Sequence, residues 1–308
     1  MDGRKKERVK ITSAPITVPL LTAAVIIMLG VSRFVLEHQS ENNNNIFLVI
    51  TVLQLIIFAL PCMLYYFLKG RRLSTPMYIS PVKPGHLIFI ASALASLVTG
   101  NMLIKFFYYL FTGEASSGGT YFASVVETSA ADTSTAMLLT ALVFVPAVCE
   151  EFFFRGVVLA EYRQFGSFNA VMFSSLCFAM LHFSIENLPL YLFSGIMLGL
   201  VCSVCRSIFA SIVLHMVSNA MSIYLSDLFI RVTIQKSGAF FVGFVLAVLF
   251  ALSLIIMISR LERIYINYAK KPPTDRIPPR SIDNLVYVYL SPAFFLLIAI
   301  FVLMTVFM

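Results

Sequence analysis

Long apolar runs alternate with short polar connections along the chain. Nine runs stand out: Ile16–Leu36, Ile46–Leu68, His86–Phe111, Ala136–Ala160, Phe168–Ser184, Leu188–Cys205, Ser207–Phe229, Ala239–Arg260 and Val286–Met308. Most hold about 18–26 residues, enough for a helix rising ~1.5 Å per residue to cross a hydrocarbon core of ~30 Å. The strict alternation of membrane β-barrel strands is absent. The pattern predicts an all-α fold, a polytopic transmembrane helix bundle of eight or nine spans. The count turns on the sixth and seventh runs, which meet at Arg206 as either a tight hairpin or a broken pair.

Composition sharpens this reading. The chain is 59% hydrophobic and 12% charged, whereas soluble domains are about one-quarter charged. That leaves no room for a large soluble domain and makes the lipid bilayer the first partner. The net charge of +7 does not point to nucleic acid, because the basic residues cluster beside membrane ends. Met1–Lys10 is basic and precedes an apolar run without a clear small-residue cleavage site, so it reads as an uncleaved first span. Basic connections (Lys69–Lys83, Glu161–Ser167, Arg206, Arg260–Arg280) alternate with connections lacking Lys and Arg (Glu37–Asn45, Gly113–Thr135, Ser184–Asn187). The positive-inside rule then puts the amino terminus in the cytoplasm of a cell-membrane protein and the carboxyl terminus outside. Arg231 and Lys236 run against this bias. Three regions follow: helices and an outer loop over 1–135, a central helical core over 136–229, and carboxyl-terminal helices over 230–308. The last region includes a cytoplasmic linker with Pro272, Pro273, Pro278 and Pro279, expected to be extended. The cysteines (62, 149, 177, 202 and 205) lie in apolar segments and read as small core residues rather than a disulfide framework.

Two adjacent carboxylates interrupt the fourth run, Glu150 and Glu151, with Arg155 one turn on. A carboxylate pair inside a membrane span is rarely neutral in role. Residues i and i+4 share a helix face, so Glu151 and Arg155 can pair. Glu150 lies ~100° around the helix and cannot share that arginine. It is the freer acid, and a carboxylate without a cation in low dielectric is a good proton acceptor. A single Glu–Arg pair would serve equally to hold helices together; packing has no use for a second, unpaired acid.

Two further runs carry one histidine each. Phe178 and His182 are four apart in the fifth, and His215 and Asn219 are four apart in the seventh. Interhelical hydrogen bonding would explain either pair taken singly. Depth links them. Counted at ~1.5 Å per residue, Glu150 lies ~15 Å from Ala160, His182 ~21 Å from Phe168, His215 ~12 Å and Asn219 ~18 Å from Ser207. All fall in one central band of a ~30 Å core. A buried Glu and a His can together take a proton from water, and a His–Asn pair offers donors to a developing oxyanion. Glu150, His182 and His215 also make a two-His, one-Glu set that would suit zinc with an open position, although HExxH spacing is absent.

The stretch Glu150–Glu151–Phe152–Phe153–Phe154–Arg155 resembles the EExxxR motif of the CPBP family, the CAAX prenyl endopeptidases and Abi proteins. Phe178–Ala179–Met180–Leu181–His182 is similar to its FxxxH, and His215–Met216–Val217–Ser218–Asn219 to its HxxxN. Phe193, Gly195, Leu198 and Gly199 between them also resemble the group. The resemblance covers roughly Ala136–Leu225 and implies a membrane-embedded endopeptidase acting on a membrane-associated protein or peptide. It implies that Glu150 and His182 activate water, that His215 and Asn219 form the oxyanion hole, and that Glu151 and Arg155 support the site, with Phe178 beside them. The family is often called metalloprotease, yet a metal-free glutamate mechanism is favoured here, because Asn is a poor zinc ligand and a natural oxyanion donor. The other readings are a non-catalytic protein of the same fold, such as a bacteriocin self-immunity factor or scaffold, and a proton-coupled transporter. The transporter lacks support from paired half-sequences.

Overall fold

In lipid a backbone must satisfy its own hydrogen bonds, and runs this apolar do so as helices. The structure, a computed structural model, describes residues 13–39, 46–70, 73–114, 134–234, 238–270 and 282–307, and among them there is no strand. The basic Met1–Lys10 segment, nearly all of the outer loop before Thr135 and the proline-rich linker lie outside the described residues.

The helices are α1 (Ala14–Gln39), α2 (Ile46–Leu68), α3 (Leu87–Thr112), α4 (Thr135–Phe165), α5 (Ser167–Met180), α6 (Leu188–Cys205), α7 (Ile208–Ile234), α8 (Ala239–Lys270), α9 (Ile282–Tyr289) and α10 (Pro292–Phe307). Among the described residues seven helices are long and apolar enough to cross a membrane, and α5 and α10 are shorter apolar helices. The chain is a multi-pass helical membrane protein. Phe240, Phe244, Leu252, Ile255 and Ile258 of α8 are exposed, an outer surface suited to lipid rather than water.

Two expectations change in detail, and an open one is resolved. The fifth run ends as a helix at Met180, not Ser184. The N–H groups of Leu181, His182 and Phe183 reach carbonyls three residues back at 3.3, 3.3 and 3.5 Å, and Phe183 takes a φ of 48°, the tightening by which helices end. The ninth run is broken. Pro292 has no N–H to continue a helix, and Ser291 Oγ accepts from Phe294 N at 3.2 Å as an N-cap, so α9 and α10 are separate. The sixth and seventh runs form a tight hairpin, with Arg206 at φ 52° closing α6 two residues before α7 begins.

α4 departs most from a regular helix. Residues Thr140–Phe144 and Phe152–Val158 are π-helical, and the α-helical turn Val145–Glu151 between them carries both glutamates. Pro146 cannot donate to the carbonyl of Leu142, four residues back, which favours the wider turn there.

The most extensive helix pairings are α3 with α8, α5 with α6, and α1 with α10. α5 and α6 come close at Gly195, where a Cβ would sit 2.9 Å from Ser175 Cα. Small residues of this kind let membrane helices approach.

The connection between α2 and α3 runs as an extended strap across one end of the bundle. Tyr78 O accepts from Ile208 N at 2.8 Å, Ser80 O from Ser207 Oγ at 2.5 Å, and Thr75 Oγ1 donates to Ala160 O at 2.5 Å. Ser74 N donates to Glu161 Oε1 at 3.1 Å, Lys69 pairs with Glu161, and the Arg163 guanidinium lies 3.7 Å from the Tyr78 ring. The basic connections expected on one membrane side thus meet at one end.

Candidate active site

The glutamates on α4 face α7. Arg155 Nη1 lies 3.1 Å from Glu151 Oε1, both side chains fully buried. This is the i,i+4 pair expected from spacing, and it persists although a π-helical segment begins immediately after Glu151. Arg155 Nη2 donates to Gly195 O on α6 at 3.0 Å, and the guanidinium stands 4.9 Å from the centre of the Phe178 ring. One arginine therefore ties α4 to both α5 and α6. The carbonyl of Phe154 beside it accepts from Ser174 Oγ on α5 at 3.0 Å.

His215, on α7, lies between the two acids. Its Nδ1 is 3.1 Å from Glu151 Oε1 and its Nε2 is 4.0 Å from Glu150 Oε2. Glu150 Oε2 is buried without a hydrogen-bond partner among the described residues. Glu150 is the freer carboxylate, as helix geometry required.

His182 sits just beyond the end of α5, in the turn rather than on the helix. Its Nδ1 is 3.1 Å from Phe178 O. A carbonyl oxygen only accepts, so Nδ1 carries the proton and Nε2 is left as an acceptor. Its ring stacks on Tyr191 of α6, with centroids 3.6 Å apart and planes 17° from parallel. Phe178 links the two histidines, its ring centre 5.1 Å from His182 and 5.6 Å from His215.

Asn219 is part-buried one turn beyond His215, and its Nδ2 lies 3.5 Å from Leu142 O. That carbonyl is the one Pro146 cannot serve, so Asn219 also holds the first π-helical segment of α4. The amide has a second N–H to offer elsewhere.

Glu150, Glu151, Arg155 and His215 thus form one polar cluster; Phe178 joins it to His182, and Asn219 flanks it through α4. The two-His, one-Glu zinc set does not converge in the same way. Among the described residues no group of three or more His, Cys, Asp or Glu side chains is placed to hold a metal ion.

Sequence reasoning missed Tyr191, the Leu142 carbonyl, and the role of the Gly195 carbonyl as an acceptor for Arg155. Pro146 inside the fourth run was the available signal for Leu142, and the pair Gly195 and Gly199, four apart, for the close helix approach. A tyrosine in an apolar run gives no sign that it will stack on a histidine.

Residues 132–221 match the family model Rce1-like, Type II CAAX prenyl endopeptidase Rce1-like. The matched stretch contains Glu150, Glu151, Arg155, Phe178, His182, His215 and Asn219, and it bears out the family resemblance carried by those motifs. No curated protein and no solved structure matches the chain.

Proposed function

We propose that this chain is a membrane-embedded endopeptidase of the CAAX type that hydrolyses a peptide bond of a membrane-associated protein or peptide with water activated by Glu150 and His182. The observation that carries the reading is the placement of His215, 3.1 Å from Glu151 and 4.0 Å from an otherwise unpartnered Glu150 carboxylate oxygen. A structural salt bridge needs Glu151 and Arg155 alone.

The chemistry follows from the hydrogen bonds. Glu150, with His182 Nε2 as a second acceptor, takes a proton from water, and the hydroxide attacks the scissile carbonyl. His215 Nδ1 is engaged by the Glu151 carboxylate, which leaves Nε2 on the side of Glu150. His215 and the second N–H of Asn219 then stabilise the oxyanion, and the proton held by Glu150 leaves on the departing amine. Arg155, held by Gly195 and Phe178, fixes Glu151, which in turn orients His215. No step requires a metal. The amino terminus is assigned to the cytoplasm of a cell-membrane protein on the charge pattern of the connections.

Comparative membrane peptidomics of cells expressing wild type or Glu150→Ala tests the reading. Cleavage products present with wild type and missing with the variant are expected. Indistinguishable peptidomes, with both proteins in the membrane, would leave the non-catalytic alternative.

A further inference from the structure

The membrane-spanning part of α3 carries a lysine that takes no part in the chemistry above. Lys105 is half-buried and forms no ion pair or hydrogen bond among the described residues. An unpaired ammonium is unfavourable in an apolar environment and calls for a counter-charge.

Lys105 lines a cavity of about 200 Å³ between α3 and the start of α6. Ile104, Pro189 and Leu190 give it apolar lining, and Tyr108, Glu186 and Asn187 complete it. Glu186 is exposed and is hydrogen-bonded by the Tyr108 hydroxyl. The cavity therefore has one cation and one anion in its lining, not paired with each other.

Depth indicates what fits. Pro84–Thr112 is 29 residues long, ~44 Å of helix against a ~30 Å core, so ~7 Å projects at each end. Lys105 lies two turns before Thr112, which puts its Cα a few Å, roughly one turn, inside the hydrocarbon boundary. A lysine side chain reaches from there to the level of lipid headgroups. Exposed Phe107, Phe111 and Ile185 flank the region with apolar surface suited to acyl chains. A free anion would be repelled by Glu186. A zwitterion would not.

We propose that this cavity binds the headgroup of a zwitterionic, amine-bearing glycerophospholipid, its phosphodiester on Lys105 and its ammonium on Glu186. Basic side chains between membrane helices are known to hold lipid phosphates.

The test is native mass spectrometry of delipidated full-length protein titrated with phosphatidylethanolamine, phosphatidylglycerol or inorganic phosphate. One phosphatidylethanolamine should bind in preference to phosphatidylglycerol, and inorganic phosphate should not displace it. Lys105→Met should weaken binding about fivefold or more, and Lys105→Arg should retain it. Glu186→Gln should erase the preference for the amine lipid while leaving phosphatidylglycerol bound. Melting curves of the variants in detergent confirm that each is folded. Unchanged lipid binding by a folded Lys105→Met overturns the proposal. So does displacement by inorganic phosphate, which would mark a free-anion site, or an unaltered lipid preference in Glu186→Gln. Because the readout is binding, it is independent of whether the chain is a peptidase.

Discussion

His215 Nδ1 lies 3.1 Å from Glu151 Oε1, so Glu151 is shared between a histidine from α7 and Arg155 from its own helix. Glu150, its immediate neighbour, has neither contact within hydrogen-bonding distance. The two acids are therefore expected to respond differently to substitution. Glu150→Gln preserves size and leaves the Glu151, Arg155 and His215 set untouched. Turnover should fall about 10²–10⁴-fold, as for loss of a general base, with the melting temperature in detergent unchanged. Full turnover by a well-expressed Glu150→Gln would sink the hydrolase assignment.

Arg155→Ala should harm folding as much as chemistry. It strands Glu151 in the interior and removes the tie to Gly195 O. Breaking a buried pair costs about 3–5 kcal/mol. A variant that melts like wild type but is inactive would mean that Arg155 acts on substrate directly.

Gly195→Ala should destabilise the protein more than Gly199→Ala. A Cβ at Gly195 meets Ser175 Cα at 2.9 Å and Ser175 O at 3.1 Å, which are backbone atoms of α5. At Gly199 the nearest atom is Val171 Cγ1 at 3.2 Å, a side-chain methyl. Overpacking of the first kind costs about 1–3 kcal/mol. Moving α6 also carries away the acceptor for Arg155 and the Tyr191 ring, so activity should fall in parallel. Equal melting temperatures for the two variants would contradict the close approach.

Asn219 separates the oxyanion role from zinc ligation. Loss of an oxyanion donor costs about 10²–10³-fold in kcat, and Asn219→Ala should show this with substrate binding largely intact. Asn219→Asp should be worse than its size suggests, because a carboxylate repels the developing charge. Elemental analysis of the purified protein decides about metal. Stoichiometric zinc that vanishes in both His182→Ala and His215→Ala would defeat the metal-free mechanism while leaving hydrolysis standing.

Orientation can be read with single cysteines at Asn43, Ser117 and Thr274 on a cysteine-free background. Impermeant reagent added outside should label the first two only. The reverse pattern would invert the topology drawn from the connecting charges.

Much of this molecule was legible in its sequence because hydropathy and helix spacing act locally. The runs gave the spans, and the i,i+4 rule gave the Glu151–Arg155 pair and the isolation of Glu150. What the sequence withheld depends on neighbours or on small backbone departures. His182 was counted as a point along a continuing helix, yet α5 ends two residues earlier and the ring is held by Tyr191. His182 is still joined to His215, through the ring of Phe178. The π-helical segments of α4 depend on where carbonyls find partners from other helices, such as Leu142 O at Asn219. Asn219 itself was read as a donor to substrate, and its second duty to the α4 backbone is a tertiary fact. Lys105 went unremarked because its meaning lies in the cavity it faces.

The strap between α2 and α3 bears on how the molecule can move. Through Tyr78, Ser80, Thr75 and Ser74 it stitches the ends of α4 and α6 and the beginning of α7 to one non-helical segment. Alternating-access machines need two halves that rock about a central site. Here α4 and α7, which bear the glutamates and His215, are tied to a common floor, and rocking them apart would break these hydrogen bonds together. Such a strap favours a constant spacing of α4 and α7 over the rocking of two halves, and so weighs against the transporter reading.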